Sequence, residues 1–235
     1  MKAEMDMEMQ DTRKEPLRDE PRYIHVDEIT INNGSRYLFM KRCIDILGAA
    51  LGLIVLIPLF MIIYLLIKIE GRGGPVFFKQ KRIGKGGKPF YMYKFRSMVL
   101  DAEALKVTLL ERNEASGPVF KIKQDPRITK VGKFIRKTSI DELPQLVNVI
   151  KGEMSLVGPR PALPDEVEQY TLFERQRLSV TPGLTCYWQV SGRNNISFHE
   201  WVAMDLRYIS ERNTSVDLGL ILKTMLVLFG SKDAY

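Results

Sequence analysis

The longest apolar stretch of the chain covers residues 46–67, ILGAALGLIVLIPLFMIIYLLI, and its 22 residues include no charged side chain. A helix of that length crosses the roughly 30 Å hydrocarbon core of a bilayer. The stretch begins too far along the chain for a signal peptide, and uncharged core helices this long are unusual in globular domains. We therefore interpret residues 36–70 as a membrane-embedded helix and not as a buried core helix.

Basic residues flank this stretch on both sides. Arg36, Lys41 and Arg42 precede it, and seven Lys or Arg follow it between residues 68 and 88. Positive flanks favour the cytoplasmic side of a membrane, so a straight span would place one flank on the wrong side. Pro58 removes one helix hydrogen bond and clashes with the preceding turn, which predicts a bend. The pattern therefore predicts a re-entrant helix with both ends on the cytoplasmic face.

Two β-prone runs follow, Val76–Gln80 and Phe90–Phe95, and the turn sequence GKGGKP between them predicts a hairpin. Nine Lys or Arg and one acidic residue lie between residues 68 and 100, interleaved with aromatic residues. This mixture is typical of single-strand nucleic-acid surfaces and also of surfaces that rest on anionic headgroups. Because the run directly follows the membrane segment, we favour headgroups and expect no nucleic-acid partner.

The remaining chain is mostly helical in pattern. Helices are predicted over residues 101–112, from Pro164 toward residue 178, and after two capping-box sequences at 197–200 and 214–217. The final apolar run, residues 218–229, contains Lys223 and is too short to span a bilayer. It predicts either a core helix or a helix that lies in the membrane interface.

Charge separates the first residues from the rest. Residues 1–35 carry five Lys or Arg and nine Asp or Glu, so a net charge of +7 for the chain leaves +11 on the remainder. We interpret residues 1–35 as a mobile polar tail. A basic body favours an anionic partner, which could be nucleic acid, a phosphate-bearing substrate or a membrane surface. Two distant cysteines and two histidines argue against a disulfide framework and a zinc site, and suit a reducing cytoplasm.

The sequence SIDELPQL, residues 139–146, places Asp141 and Glu142 side by side where a helix should begin, with Ser139 as its candidate cap. Acidic residues near a helix N-terminus stabilise its dipole by about 0.3–1 kcal/mol and need no further function. Alternatively, basic neighbours keep both carboxylates ionised, as a nucleophile and a ligand of a divalent cation require. These neighbours are Arg127, Arg136 and Lys137.

Two arginines lie in sequences that suit phosphate binding. Pro159 and Pro161 restrict the chain on either side of Arg160, so its guanidinium is expected on a stiff support. A rigidly presented guanidinium fork matches a phosphate, although an arginine on an ordinary surface turn has the same pattern. Arg193 lies in a second polar loop, WQVSGRNN, that suits phosphate or sugar contacts.

Several of these sequences occur together in the order and spacing of one family. They are KRCID, Pro58, GPVFFKQKRIG, YKFRSM, DPRITKVGKFIRKTSIDELPQLVNVIKGEMSLVGPRP and TPGLTCYWQVSGR. The chain resembles the bacterial sugar transferases, the monotopic polyprenyl-phosphate phosphoglycosyl transferases, over residues 36–230. It looks like their minimal catalytic form, without the additional N-terminal membrane domain of some relatives. Cys186 and Tyr187 depart from the usual GITGLWQV sequence.

The resemblance implies an α/β, mainly helical fold: a re-entrant membrane helix over residues 36–70 and a cytosolic catalytic domain over residues 71–235, with a β-hairpin and interfacial amphipathic helices. It implies transfer of a sugar 1-phosphate from a nucleoside diphosphate sugar, usually a UDP-sugar, to undecaprenyl phosphate. This would be the first membrane step of surface polysaccharide or glycoconjugate synthesis, at the cytoplasmic face of the bacterial inner membrane. Downstream glycosyltransferases are further candidate partners.

The resemblance also assigns roles to residues. Asp141 and Glu142 match the dyad that supplies the nucleophile and holds Mg²⁺. The candidate substrate-binding residues are Arg160, Arg193, Arg96, Lys94 and Arg136. A non-enzymatic basic membrane module would explain the charge but gives the dyad no role, and a glycoside hydrolase needs carboxylates that face each other across a sugar.

Overall fold

The computed structural model describes residues 29–71, 73–114, 117–191 and 196–230. Its α-helices are α1 Ser35–Val55, α2 Ile57–Glu70, α3 Ala102–Thr108, α4 Lys130–Lys137, α5 Leu146–Lys151, α6 Pro164–Glu168, α7 Leu172–Arg175, α8 Tyr187–Val190, α9 Phe198–Glu211 and α10 Thr214–Gly230. Its strands are β1 Phe77–Ile83, β2 Pro89–Phe95, β3 Ser155–Val157 and β4 Gly183–Thr185. Short 3₁₀ helices cover Lys85–Gly87, Leu110–Arg112, Ile140–Gln145 and Gln176–Ser179. The predicted mainly helical fold with a small amount of sheet is confirmed.

The apolar stretch forms two helices that meet at Leu56 with a bend of 60°. Pro58 is near the start of α2, and its ring excludes a straight continuation because it would clash with the carbonyl of Ile54. The predicted bend is therefore confirmed. Among the described residues, no single helix has the length and apolar character of a membrane span, whereas the bent pair α1 and α2 together have both.

Much of the bent pair presents apolar side chains outward. The exposed fraction is 70% for Leu47, 64% for Leu51, 66% for Ile54 and 80% for Ile69. The exposed apolar side chains continue through the bend and along α2, at Val55, Ile57, Met61, Ile62 and Leu65. Contiguous apolar surface on this scale marks an interaction site and is rare on soluble monomers.

The predicted hairpin is confirmed, with the register running from Phe77 opposite Phe95 to Ile83 opposite Pro89. Gly86 and Gly87 take positive φ in the turn, where a side chain would be strained. A side chain of α5 completes the outer edge of β2: Asn148 accepts from the backbone N–H of Tyr93 and donates to the carbonyl of Tyr91. Asn148 is fully buried at this contact.

Three clusters of buried apolar side chains join these elements. One connects α2, β2 and α4 through Ile67, Phe95 and Ile135. A second packs α1 against the hairpin and α5. The third and largest is formed by β3, α9, α10 and the segments that flank β4, with Val202 and Ile209 completely buried. The bent helix pair is thus continuous with the core of the rest of the chain.

Some charges that the sequence analysis assigns to the membrane flanks serve this packing instead. Lys41 is buried, and its ammonium donates to Asp217, to the carbonyl of Val157 and to the hydroxyl of Tyr208. Arg42 donates to two carbonyls at the end of α5. Buried charges are retained when they are paired and hydrogen-bonded. These side chains therefore fix α1 to the body of the protein.

The described residues of the predicted tail are also packed. Residues 29–34 precede α1, and the backbone N–H of Ile29 donates to Gln176. Arg212 donates to the carbonyl of Asn32, and the Asn32 amide donates back to the carbonyl of Arg212. Ile31 packs against the largest core cluster. Residues 29–34, which the sequence predicts as the end of a mobile tail, are therefore packed against the body of the protein.

Two helix predictions differ from the structure. The segment from Pro164 to residue 178 contains α6, α7 and a 3₁₀ helix, because Thr171 and Glu174 form a capping box that begins a new helix. The box predicted at residues 214–217 is not formed: Asn213 accepts from the first backbone N–H groups of α10, and Asp217 is buried beside Lys41. The box at Ser197 and Glu200 is confirmed.

Candidate active site

The acidic pair lies in a tight segment just after α4. Among the described residues, Ser139 is the one non-glycine residue with positive φ, at 56°. Its side chain does not cap the following helix, so that prediction is wrong. The helix that begins at Ile140 is a 3₁₀ helix, and its tighter turn brings Asp141 and Glu142 to different depths.

Asp141 is buried, with 7% of its surface exposed. Burial raises the pKa of Asp141 to about 6, and the charge of Glu142 acts in the same direction, while Lys94 and Arg136 lower it. Desolvation outweighs the basic neighbours, so the pKa shift is opposite in direction to the one predicted from the sequence, although a pKa of about 6 still leaves the carboxylate mostly ionised at neutral pH. A buried carboxylate that is only weakly solvated is a strong candidate for direct attack on a substrate atom.

Glu142 is more exposed, and one of its carboxylate oxygens accepts from the Lys94 ammonium at 2.7 Å. Lys94 is near the end of β2, so the hairpin brings a cation to the pair from a distant part of the sequence. From the sequence Lys94 is predicted as a substrate ligand, and nothing in its own segment connects it with Glu142. Arg127 does not serve the pair, because its guanidinium binds Asp125 at 2.6 Å.

Arg160 is presented by a loop that is held at several points. The backbone N–H of Gly183 donates to the carbonyl of Pro159, and Ala162 accepts from the backbone of Ile83. A Cβ on Gly183 would lie 2.0 Å from the nitrogen of Gly158, so the close approach of β4 requires glycine. The predicted stiff support is confirmed, although backbone hydrogen bonds contribute as well as the two prolines.

Arg82 connects this loop with the hairpin. It is buried on β1 and donates to the carbonyl of Pro161 and to the Gln80 side chain. Its pKa is lowered to about 9, chiefly by burial and then by the charge of Arg160, and Glu142 raises it. Arg82 therefore lies within electrostatic range of both the phosphate-binding candidate and the acidic pair. From the sequence Arg82 is predicted only as one of the basic residues that flank the membrane helix.

Aromatic and basic side chains surround the guanidinium of Arg160. It lies 5.2 Å from the centre of the Trp201 ring, within cation–π range. Arg160 also lines a cleft with Gly84, Tyr170 and Arg177. Arg177 is held by Asp205 at 2.7 Å and is buried, so Arg160 is the more accessible cation of the cleft.

Arg96, a further substrate-binding candidate, contacts the end of a helix. Arg96 is buried at the end of α2, where its guanidinium lies 3.4 Å from the carbonyls of Ile67 and Gly71. A Cβ on Gly74 would meet this guanidinium at 1.9 Å. The structure thus gives Arg96 a contact with the helix end, and Arg193 lies outside the described residues.

The carboxylates of this segment do not form a complete metal cage by themselves. Within the described ranges, no group of three or more His, Cys, Asp or Glu side chains could hold a metal ion. Mg²⁺ in phosphoryl transfer is held by one or two carboxylates, with water and substrate phosphates completing its six ligands. Asp141 and Glu142 provide hard oxygen ligands of that kind, and the Glu142 side chain is partly exposed to solvent.

A family model described as "bacterial sugar transferase" matches residues 36–231. The chain belongs to this family. The match includes the bent helix pair, the hairpin, the acidic pair and the Arg160 loop, and the family resemblance stated from the sequence is confirmed.

Relatives of known name extend this result. The chain is 52% identical over 197 residues to the galactosyl transferase CpsE of Streptococcus agalactiae, covering 83% of this chain and 43% of the relative. It is 44% identical over 205 residues to the undecaprenyl-phosphate galactose phosphotransferase of Salmonella typhimurium, covering 84% of this chain and 42% of the relative. With the exopolysaccharide production protein ExoY of Sinorhizobium fredii the identity is 41% over 199 residues, covering 83% and 88%. The chain thus spans less than half the length of the first two relatives.

Proposed function

We propose that this chain transfers a sugar 1-phosphate from a UDP-sugar to undecaprenyl phosphate and releases UMP. The observation that carries the proposal is the buried Asp141 carboxylate beside the partly exposed, Lys94-bound Glu142. The names of the relatives from Salmonella and Streptococcus support a sugar phosphotransferase. The product would be the lipid-linked sugar with which surface polysaccharide synthesis begins.

In the first step, an oxygen of Asp141 attacks the phosphorus that carries the sugar. The new oxygen–phosphorus bond forms as the bond to the bridging oxygen breaks, and UMP leaves with the electron pair. In the second step, a phosphate oxygen of undecaprenyl phosphate attacks the same phosphorus, and the Asp141 carboxylate is released unchanged. Neither step requires a general base, because both nucleophiles are already anionic.

Anionic nucleophiles are repelled by phosphate oxygens, so cations must neutralise the site. Arg160 would hold a donor phosphate, and Lys94 and Arg136 place positive charge near Asp141. Mg²⁺, when bound by Glu142 and Asp141, would supply further neutralisation of the phosphoryl oxygens. The hard carboxylate oxygens of both residues and the partial exposure of Glu142 fit that role.

The exposed apolar surface of α1 and α2 supports a membrane location for the second substrate. We propose that the bent pair inserts as a re-entrant helix from the cytoplasmic face of the bacterial inner membrane. The exposed Leu218, Leu222 and Leu226 of α10 would rest in the interface. A nucleotide sugar from the cytoplasm and a lipid phosphate from the bilayer would then reach Asp141 one after the other.

The proposal is tested by separating the two steps. The purified chain in detergent, with Mg²⁺ and a panel of radiolabelled UDP-sugars, should release UMP in a burst of at most one equivalent before any lipid is added. Undecaprenyl phosphate should then restore turnover with ping-pong kinetics. A strict need for both substrates before UMP appears would contradict the covalent route.

The intermediate can be located directly. Trypsin cleaves after Lys137 and Lys151, so a trapped phosphosugar on Asp141 should add its mass to peptide 138–151. Asp141→Asn should abolish both the burst and the adduct, whereas Glu142→Gln should mainly lower the rate and change the Mg²⁺ dependence. Asp165, which is exposed on α6, provides the matched control Asp165→Asn. Normal turnover of Asp141→Asn would overturn the assignment of the nucleophile.

A further inference from the structure

Glu70, the last residue of α2, reaches the N-terminus of α4. One carboxylate oxygen accepts from the backbone N–H of Lys130 at 2.7 Å, and the other accepts from that of Val131 at 3.0 Å. Both N–H groups belong to the first turn of α4, where no partner exists within the helix. The negative charge also faces the positive end of the helix dipole. One side chain therefore joins the bent apolar pair to the start of α4.

The start of α4 is also fixed by its other neighbours. The hydroxyl of Thr129 accepts from the backbone N–H of Gly132, and the backbone N–H of Thr129 donates to the carbonyl of Ser97. A Cβ on Gly132 would lie 1.9 Å from that carbonyl oxygen, so α4 and the end of the hairpin are in direct contact. Ile135 is fully buried against α2. The helix has little freedom to shift while Glu70 is in place.

The chain between α4 and the nucleophile is short and hydrogen-bonded. The backbone N–H of Ser139 donates to the carbonyl of Arg136, and that of Glu142 donates to the carbonyl of Ser139. Ser139 itself is held at positive φ. Any shift of α4 is therefore passed to Asp141 and also moves Arg136, whose charge acts on Asp141.

We propose that Glu70 is a positioning residue for the transfer reaction: it fixes α4 relative to the bent helix pair and thereby places the Asp141 carboxylate for in-line attack. This inference rests on the proposed function. Glu70→Gln turns an amide NH₂ toward one of the two backbone N–H groups and loses that hydrogen bond. Because a misplacement of about 1 Å lowers a rate by about 100-fold, kcat should fall about 10- to 100-fold while KM for the UDP-sugar is unchanged.

Glu174 provides a matched control. Its carboxylate also accepts from a helix N-terminal N–H group, that of Thr171 at 2.7 Å, but it caps α7, whose residues are distant in sequence from the acidic pair. Glu174→Gln should lower thermal stability by a similar amount and leave kcat per active site at the wild-type value. Glu70→Asp keeps both acceptor oxygens and should recover part of the lost kcat.

The experiment measures kcat per active site, with sites counted by the UMP burst, and hydrogen exchange of residues 130–142 in the same full-length variants. In Glu70→Gln, exchange should become about tenfold faster at residues 130–131, as the loss of about 1.4 kcal/mol of capping predicts, and the increase should extend to residues 139–142.

Two results would overturn the inference. One is wild-type kcat per active site in Glu70→Gln, and the other is faster exchange confined to residues 130–131. A wild-type chain that releases no UMP would contradict the proposed function instead, so the two failures are distinguishable. Faster exchange that reaches residues 139–142 supports the link from Glu70 through α4 to Asp141, whichever sugar nucleotide is the substrate.

Discussion

Replacement of Asp141 by asparagine should stabilise the fold while it abolishes transfer. Burial raises the pKa of Asp141 from 3.8 to about 6, so the folded protein holds this proton more tightly than the unfolded chain does. The stabilisation from the bound proton is complete below pH 4 and is lost as the pH rises through 6. A shift of about two units corresponds to about 3 kcal/mol of unfolding free energy at neutral pH. Asparagine is nearly isosteric and avoids this loss.

The difference between variant and wild type should therefore depend on pH. Near pH 4 both proteins should unfold alike, whereas at pH 7.5 Asp141→Asn should be more stable by up to about 3 kcal/mol, or about 6–12 °C in Tm. Unfolding in detergent with EDTA can be followed by the fluorescence of Trp188 and Trp201, which pack against the largest core cluster. EDTA removes any metal that would stabilise the ionised carboxylate.

Asp165→Asn serves again as the control, since that side chain is exposed and should show no stability gain that grows between pH 4 and 7. The reasoning is refuted if Asp141→Asn is less stable than wild type at pH 7.5, or if the difference between them is the same at every pH. Such a result would mean that the Asp141 carboxylate is well solvated or fully compensated by its neighbours.

Three further perturbations test other parts of the structure. Pro58→Leu restores a backbone donor and removes the ring clash, so the helix pair should straighten and cross the membrane. In intact cells, cysteines at both ends of the wild-type pair should be shielded from an impermeant reagent, whereas one end of the variant should be labelled. If both ends of the variant remain shielded, Pro58 is not the cause of the re-entrant topology. Arg160→Lys should lower kcat/KM by an amount equivalent to about 1.5–3 kcal/mol, since a point charge cannot replace a bidentate fork, and wild-type kinetics would exclude a phosphate contact. Lys41→Met should destabilise the fold by about 3–5 kcal/mol in denaturant unfolding, because Asp217 is left buried without its cation; a loss below 1 kcal/mol would contradict the buried pair.

Features with a local cause were predictable from the sequence. The bend depends on one proline within an apolar run, and the hairpin depends on a glycine-rich turn between two β-prone runs. The break between α6 and α7 also had a local signal, since Thr171 and Glu174 match the same capping pattern that was recognised at Ser197. The sequence pattern after Pro164, taken without this capping box, predicts one helix that continues across the break.

Contacts between distant residues were not predictable. Lys41 and Asp217 are 176 positions apart, and Lys94 and Glu142 are 48 apart. Within its own segment, each of these four side chains can be explained without its distant partner, as a basic flank, a helix cap or a substrate ligand. The candidate nucleophile could be named from the family pattern, but its burial and the source of its nearest positive charge depend on how the hairpin packs. The sequence pattern carries no information about that packing.

Asn148 has a consequence for solubility as well as for folding. A two-stranded hairpin has two open edges, and open edges invite pairing with strands of other molecules. The side-chain amide of Asn148 occupies the donor and acceptor positions of β2 that an incoming strand would use. The end of β1 is bridged to Ala162, and its edge carries Lys79 and Lys81. Asn148→Ala should therefore promote β-aggregation of the detergent-solubilised protein before any loss of the helical fold is visible.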